Sequence, residues 1–199
     1  MTNATERAQR SDARENRQRL LEAAKELFGQ QGVEATSMQE IAKAAGVGQG
    51  TLYRHFADKA ELCHALIEED IAAFQARLEV VLASNWVIAS PMDRLDLLIS
   101  EKIKLVESHL PLLAVMDLSN KSKRSGPGSF YHWQREQIVA LLREAVELGE
   151  LAPLDVEYTA EALLAILSPR LYSHQHNELG YTSERVIAGI RRLFVEGLR

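Results

Sequence analysis

Residues 46–59 read GVGQGTLYRHFADK. The stretch lies in a chain of 199 residues and formal net charge −5, yet it holds Gln49, Thr51, Tyr53, Arg54, His55 and Lys59 and a single acid, Asp58. Gly46 at its head can take the positive-φ conformation that a tight turn demands. On a wheel stepping roughly 100° per residue from Gln49, Leu52 and Phe56 fall near 300° and 340°. On the same step Gly50, Thr51, Arg54 and His55 occupy the arc from roughly 100° to 240°, with Gln49 and Tyr53 on the border. One side anchors a short helix into a small core, and the other is a row of donors and acceptors.

The preceding residues supply a partner helix. In SMQE, Ser37 caps and Glu40, three residues on, reaches back to complete a capping box. Ile41, Ala42 and Ala45 give that helix its buried side, and Gly46 ends it. Two short helices joined by a glycine-containing turn make a helix-turn-helix pattern. The exposed polar face then has two readings, a solvated surface or a surface that meets nucleic acid. Gly50 lets a phosphate or base edge approach its backbone closely. An arginine such as Arg54 meets guanine bidentately, and the methyl group of Thr51 suits thymine. Tyr53, His55 and Lys59 suit phosphate oxygens, which set register without reading sequence.

Charge distribution agrees with the second reading. Residues 1–59 hold nine Lys/Arg against eight Asp/Glu, and residues 60–199 hold fourteen against twenty, which together give the net −5. Five arginines (Arg7, Arg10, Arg14, Arg17 and Arg19) crowd the N-terminal end, so a polyanion would meet the chain there. One cysteine, Cys63, excludes an intrachain disulfide, and its expected role is that of a small buried apolar residue. The first twenty residues carry charges throughout and lack the apolar core of a secretory signal. No window approaches the length of a membrane span. A cytoplasmic location without membrane association is expected.

The rest of the chain has helical spacing, with no sustained period-two alternation. Leu20, Ala23, Ala24, Leu27 and Phe28 form a first stripe that Gly32 ends. Asp58 caps a longer helix reaching about residue 84, and Ser90-Pro91 starts the next. KSKRSGPGS at 121–129 reads as a loop. Further helices are expected at about 129–148, at about 156–177 with a bend near Pro169, and at about 182–197. The fold class is all-α with about nine helices.

The segment LLEAAKELFGQQGVEATSMQEIAKAAGVGQGTLYRHFADKAEL closely resembles the DNA-binding domain of the TetR family of bacterial transcriptional regulators, over about residues 15–62. The resemblance implies an N-terminal arm and helix-turn-helix domain at 1–59 and a helical effector-binding and dimerisation domain at 60–199. It implies a regulator, most often a ligand-released repressor, that binds a palindromic double-stranded DNA operator as a homodimer. The family's DNA-contacting places fall on Ser37, Gln39, Gln49, Gly50, Thr51, Tyr53, Arg54, His55 and Lys59. Met38 stands where members often carry a phosphate-binding threonine, so Ser37 takes over that contact.

Beyond residue 62 the sites rest on chemistry and helix order. A pocket for a hydrophobic or aromatic effector draws on Trp86, Lys102, His109, Met116, Phe130, Trp133, Tyr158 and Tyr172, although such residues also build ordinary cores. Lys102 or His109 would accommodate an acid group. Leu163, Leu164, Ile166, Leu167, Leu171, Ile187, Ile190, Leu193 and Phe194 supply a dimer seam in the last two helices, or else face their own core. His174 and His176 lie two residues apart and therefore on different sides of a helix, so no metal site is expected, and no cofactor. An enzyme finds no support: there is no P-loop, no GxSxG elbow and no HExxH. A helical dimeric adaptor without specific DNA binding is the remaining alternative.

Overall fold

The computed structural model describes residues 2–82, 90–118 and 129–198, with side chains from residue 11 onward except at 117 and 118. The described residues form nine α-helices and no strand: α1 (Thr2–Gln31), α2 (Met38–Ala44), α3 (Gln49–His55), α4 (Lys59–Leu82), α5 (Pro91–Leu118), α6 (Ser129–Glu147), α7 (Val156–Ile166), α8 (Pro169–Asn177) and α9 (Ser183–Arg191). A π-helical turn, Arg192–Glu196, continues α9. The chain divides into two compact units. Trp86 and nearly all of the loop expected at 121–129 lie outside the described residues.

The first unit comprises residues up to Asp70 together with the stretch from Pro111. Its core joins Leu20, Leu21 and Ala24 of α1, Ile41 and Ala42 of α2, Leu52 of α3, Phe56, and Leu62 and Leu66 of α4, with Leu112 packed against it. Burying each such leucine or phenylalanine contributes about 1.5–3 kcal/mol, so a handful of side chains suffices to hold three short segments in place.

The turns of this unit follow local chemistry. Ser37 Oγ accepts from the Glu40 amide at 3.2 Å, and Glu40 Oε2 accepts from the Ser37 amide at 2.8 Å, completing the capping box. After α2, Val47 N donates to Ala42 O at 3.0 Å and Gly46 N to Lys43 O at 3.1 Å, a Schellman closure around Gly46 at φ 65°. Arg19 Nη2 donates to the Ala45 carbonyl from outside the turn. A Cβ on Gly46 would lie 2.7 Å from that Arg19 nitrogen. Gly46→Ala is therefore expected to cost about 1–2 kcal/mol through the left-handed backbone alone. Displacing Arg19 adds to that loss. Thermal unfolding should show a lowered midpoint, with Gly46→Asn intermediate because asparagine tolerates this region better.

The second unit takes in the described residues of Ile71–Leu110 and those from Ser129. Its core gathers Phe74, Leu78 and Leu82 of α4, Leu95, Leu98 and Ile99 of α5, Ile138 and Leu142 of α6, Leu163 of α7 and Tyr172 of α8. The bidentate pair of Arg191 with Asp96, at 2.7 and 2.8 Å, ties α9 to α5.

Two helix expectations need correction here. The stretch 156–177 is not one bent helix: Ile166 ends α7, and Ser168 caps α8 through the Leu171 amide, with Pro169 at the first turn. Proline there is a start signal, not a kink, because its missing N–H would have had no partner anyway. The π-helical turn also breaks the helical spacing of Ile187, Ile190, Leu193 and Phe194 in the last helix expected at about 182–197. Gly197 N bonds Arg192 O at 3.0 Å, five residues back, and the widened turn buries Val195 while Leu193 is 63% exposed. Within α5, Pro111 sits inside the helix, at the point where the two units divide.

Candidate nucleic-acid interface and ligand cavity

The interface is built on α3. Leu52 is fully buried and Phe56 nearly so, which fixes the roll of the helix and turns Gln49, Gly50, Tyr53 and Arg54 outward. Thr51 and His55 are half-buried at the edge. Tyr53, 49% exposed, presents a large aromatic ring to solvent. Gly50 has open space where a Cβ would sit. The wheel expectation holds for Gly50 and Arg54, but the exposed face is rolled toward Gln49 and Tyr53, placed on its border, while Thr51 and His55 sit at the edge.

His55 is more constrained. Its Nε2 is shut away from solvent with no hydrogen-bond partner. Burial, then the neighbouring Arg54 and Arg17 charges, hold its pKa below the ordinary histidine value. The ring is thus neutral at pH 7, and any phosphate contact falls to Nδ1.

Lys59 at the start of α4 has a duty the sequence did not disclose. Its Nζ donates to the carbonyls of Val33 at 2.8 Å and Glu34 at 3.1 Å, pinning the loop before α2. Thr36, fully buried in that loop, donates to Gly32 O at 2.8 Å. An ammonium carries three protons, so Lys59 retains one for a phosphate. Ser37 is exposed, but its hydroxyl donates to Glu40 Oε2 at 2.7 Å and must turn to reach another acceptor. Gln39 is exposed beside it.

The arginine cluster divides in the same way. Arg17 lies 5.5 Å over the Phe56 ring and 3.9 Å from Glu69, and Arg19 holds the turn. Arg14 remains exposed. Cys63 is buried, its thiol pushed up to about 11 by burial.

The second unit contains a cavity of about 390 Å³, within the range of small-molecule sites. Its walls come from α5 (Lys102), α6 (Phe130, Tyr131, Gln134), α7 (Glu161, Leu164, Ala165) and the α7–α8 junction (Leu167, Ser168, Pro169). Of the eight expected effector residues, Lys102 and Phe130 line it. Trp133 stacks on Phe130 at 6.0 Å and donates Nε1–H to Glu79 at 2.8 Å. The other described candidates lie elsewhere. His109 is buried against the Leu105 carbonyl of its own helix, at 2.6 Å from Nδ1. Met116 belongs to the first unit. Tyr158 is 72% exposed, because its helix turns that face to solvent. Tyr172 is a core residue, its hydroxyl pushed up to about 12 by burial. Gln134, buried in the cavity wall with an unpartnered Nε2, was not anticipated, since a lone glutamine in an apolar stripe carries no signal of its own.

The expected dimer seam also divides. Leu163, Leu164, Leu167 and Ile190 are buried in their own core, whereas Leu171, Ile187 and Phe194 are half-buried and Leu193 is exposed. Helical periodicity marks both faces of a helix packed on two sides and does not say which face meets a partner. His174 faces Glu178 at 3.0 Å and His176 lies 3.2 Å from the Tyr181 carbonyl, on separate sides of α8.

This geometry agrees with comparisons to known proteins. The family description "Bacterial regulatory proteins, tetR family" matches residues 20–66, which span the end of α1, α2, α3 and the start of α4. The chain is 40% identical over 169 residues, 83% of its length and 85% of the relative's, to HTH-type transcriptional regulator SAR2658 of Staphylococcus aureus strain MRSA252. This chain belongs to the TetR family. HTH-type transcriptional regulator SAUSA300_2515 of Staphylococcus aureus strain USA300 is 39% identical over 125 residues, 61% of this chain and 64% of that relative. A crystal structure of AibR in complex with isovaleryl coenzyme A and operator DNA shares the fold at TM-score 0.59 and 23% identity, over 90% of this chain and 98% of that one. The TetR-family chain is a helix-turn-helix transcriptional regulator, not an enzyme. None of the helices among the described residues is long and apolar enough to cross a membrane.

Proposed function

We propose that this TetR-family regulator is a cytoplasmic, ligand-released repressor that binds a palindromic operator as a homodimer. The observation that carries the reading is the α3 face: Gln49, Gly50, Tyr53 and Arg54 stand outward from a helix locked by Leu52 and Phe56. Arg54 reads a base, Gly50 and Thr51 allow close approach, and Tyr53, Lys59, Ser37, Gln39 and the Nδ1 of His55 hold the phosphates. A single such helix covers a few base pairs, so two copies about a twofold axis are needed to read an operator.

The dimer seam uses apolar side chains that the second unit leaves outside. Tyr158 and Leu193 are exposed at 72% and 63%, and Ile166, Ile187 and Phe194 are half-buried. Replacing both Tyr158 and Leu193 by aspartate is expected to yield a folded monomer in sedimentation equilibrium. That variant should lose operator binding while its far-ultraviolet spectrum stays helical.

Effector control follows a chain of contacts along α4. Phe130 in the cavity wall meets Phe74 of α4 edge-on at 5.8 Å, and Lys59 at the other end of α4 holds the loop before α2. A ligand that repositions Phe130 biases α4, and with it the recognition helices. It does so only by binding the non-operator state more tightly. Coupling of about 1–3 kcal/mol lowers operator affinity about 5- to 150-fold. A titration of duplex binding against salt tests the DNA half of the reading. The slope of log affinity on log salt should be about −0.9 per phosphate contacted. Binding that ignores salt would leave only a helical adaptor.

A further inference from the structure

Lys102 is an unusual wall residue. It is 5% exposed, and among the described residues its Nζ has no ion-pair partner; it lies 4.3 Å from the centroid of the Phe130 ring. Burial lowers its pKa to about 8, so at pH 7 it still holds its proton inside an apolar wall. A buried cation without a counter-ion is costly, and such groups gather at binding sites. Gln134, 4% exposed, lines the same cavity, and its Nε2 donor is also unpartnered. Two buried donors, one of them charged, therefore lie in one cavity whose remaining wall is largely apolar.

The acid in that wall does not neutralise them. Glu161 accepts from Arg135 at 2.7 Å and from the Tyr131 hydroxyl, so its charge is already compensated by α6. We propose that the cavity takes a small organic monocarboxylate, its carboxylate accepting from Lys102 Nζ and Gln134 Nε2 and its apolar body lying against Phe130 and Leu164. This assignment rests on reading the chain as a ligand-responsive regulator and names the ligand's class. A coenzyme A thioester fits less well, because its several phosphate charges would meet one lysine in this wall.

Calorimetric titration of the full chain with octanoate and benzoate, against octanamide, benzamide and octanoyl coenzyme A, tests the assignment. At least one acid should bind, and its amide should bind at least tenfold more weakly. Lys102→Met should weaken the acid about ten- to hundredfold, the range for a hydrogen bond to a charged group, and leave the amide unchanged. Gln134→Leu should weaken the acid by a smaller factor. The unfolding midpoint of Lys102→Met should hold or rise, since an unpaired buried charge has been removed.

The proposal is overturned if neither acid binds, if the amides match the acids, or if octanoyl coenzyme A alone binds. It is equally overturned if Lys102→Met binds acid as the parent does, or loses stability together with all binding. Operator release is measured separately by fluorescence anisotropy. An acid that binds without releasing DNA refutes the repressor reading and upholds this one.

Discussion

Leu52→Ala is expected to unfold the helix-turn-helix before any other part of the chain responds. Leu52 is the buried anchor of a seven-residue helix and shares its small core with Leu20, Leu21, Ile41 and Phe56. A leucine-to-alanine change at such a site costs about 2–5 kcal/mol, because lost transfer free energy and an unfilled cavity add. A helix of two turns cannot persist on its own propensity, so α3 depends on that contact. Denaturant unfolding should show an early transition and duplex binding should vanish. Leu52→Met, which conserves volume, should cost less than about 1.5 kcal/mol and keep binding.

Arg54→Ala is expected to spare the fold and abolish the reading of one base pair per half-site. Arg54 is exposed, and a surface substitution of this kind moves stability by about 0.5 kcal/mol or less. A bidentate arginine–guanine contact is worth about 1–3 kcal/mol, and a dimer makes it twice. Operator affinity should therefore fall by about 30- to 10⁴-fold, with preference lost at one symmetric position. Lys59→Ala makes the informative contrast. It should weaken all duplexes alike, and it should also lower the unfolding midpoint, because Lys59 holds the Val33 and Glu34 carbonyls. Competition binding with single-base operator variants separates the two patterns.

The parts of the fold legible in the sequence are those set by neighbours in the chain. The Ser37–Glu40 capping box, the Gly46 closure and the Leu52/Phe56 anchor each depend on residues within one or two turns. Resemblance to the TetR family then supplied what those features were for. What stayed hidden depends on distant partners. Nothing local distinguishes Lys59 as a loop clamp, since its acceptors lie 25 and 26 residues away. The apolar residues of α7 were visible, but not that Leu163 and Leu164 turn inward while Tyr158 turns out. Pro169 reads from sequence as a bend in one helix, whereas it starts a new one, because Ser168, one residue earlier, caps α8. The cavity could be anticipated in part through Lys102 and Phe130. Gln134 and the α7–α8 junction complete it only once three helices are packed together.

Selection of bound sequences from random duplex DNA by the purified full chain addresses the central claim most directly. The enriched pool should converge on an inverted repeat whose half-sites lie about one helical turn, 34–36 Å, or a multiple of it apart, and Arg54→Ala should relax one position in each half. A pool that stays random, or a unique site without twofold symmetry, would contradict the claim that two copies of the α3 face read the groove of a double helix.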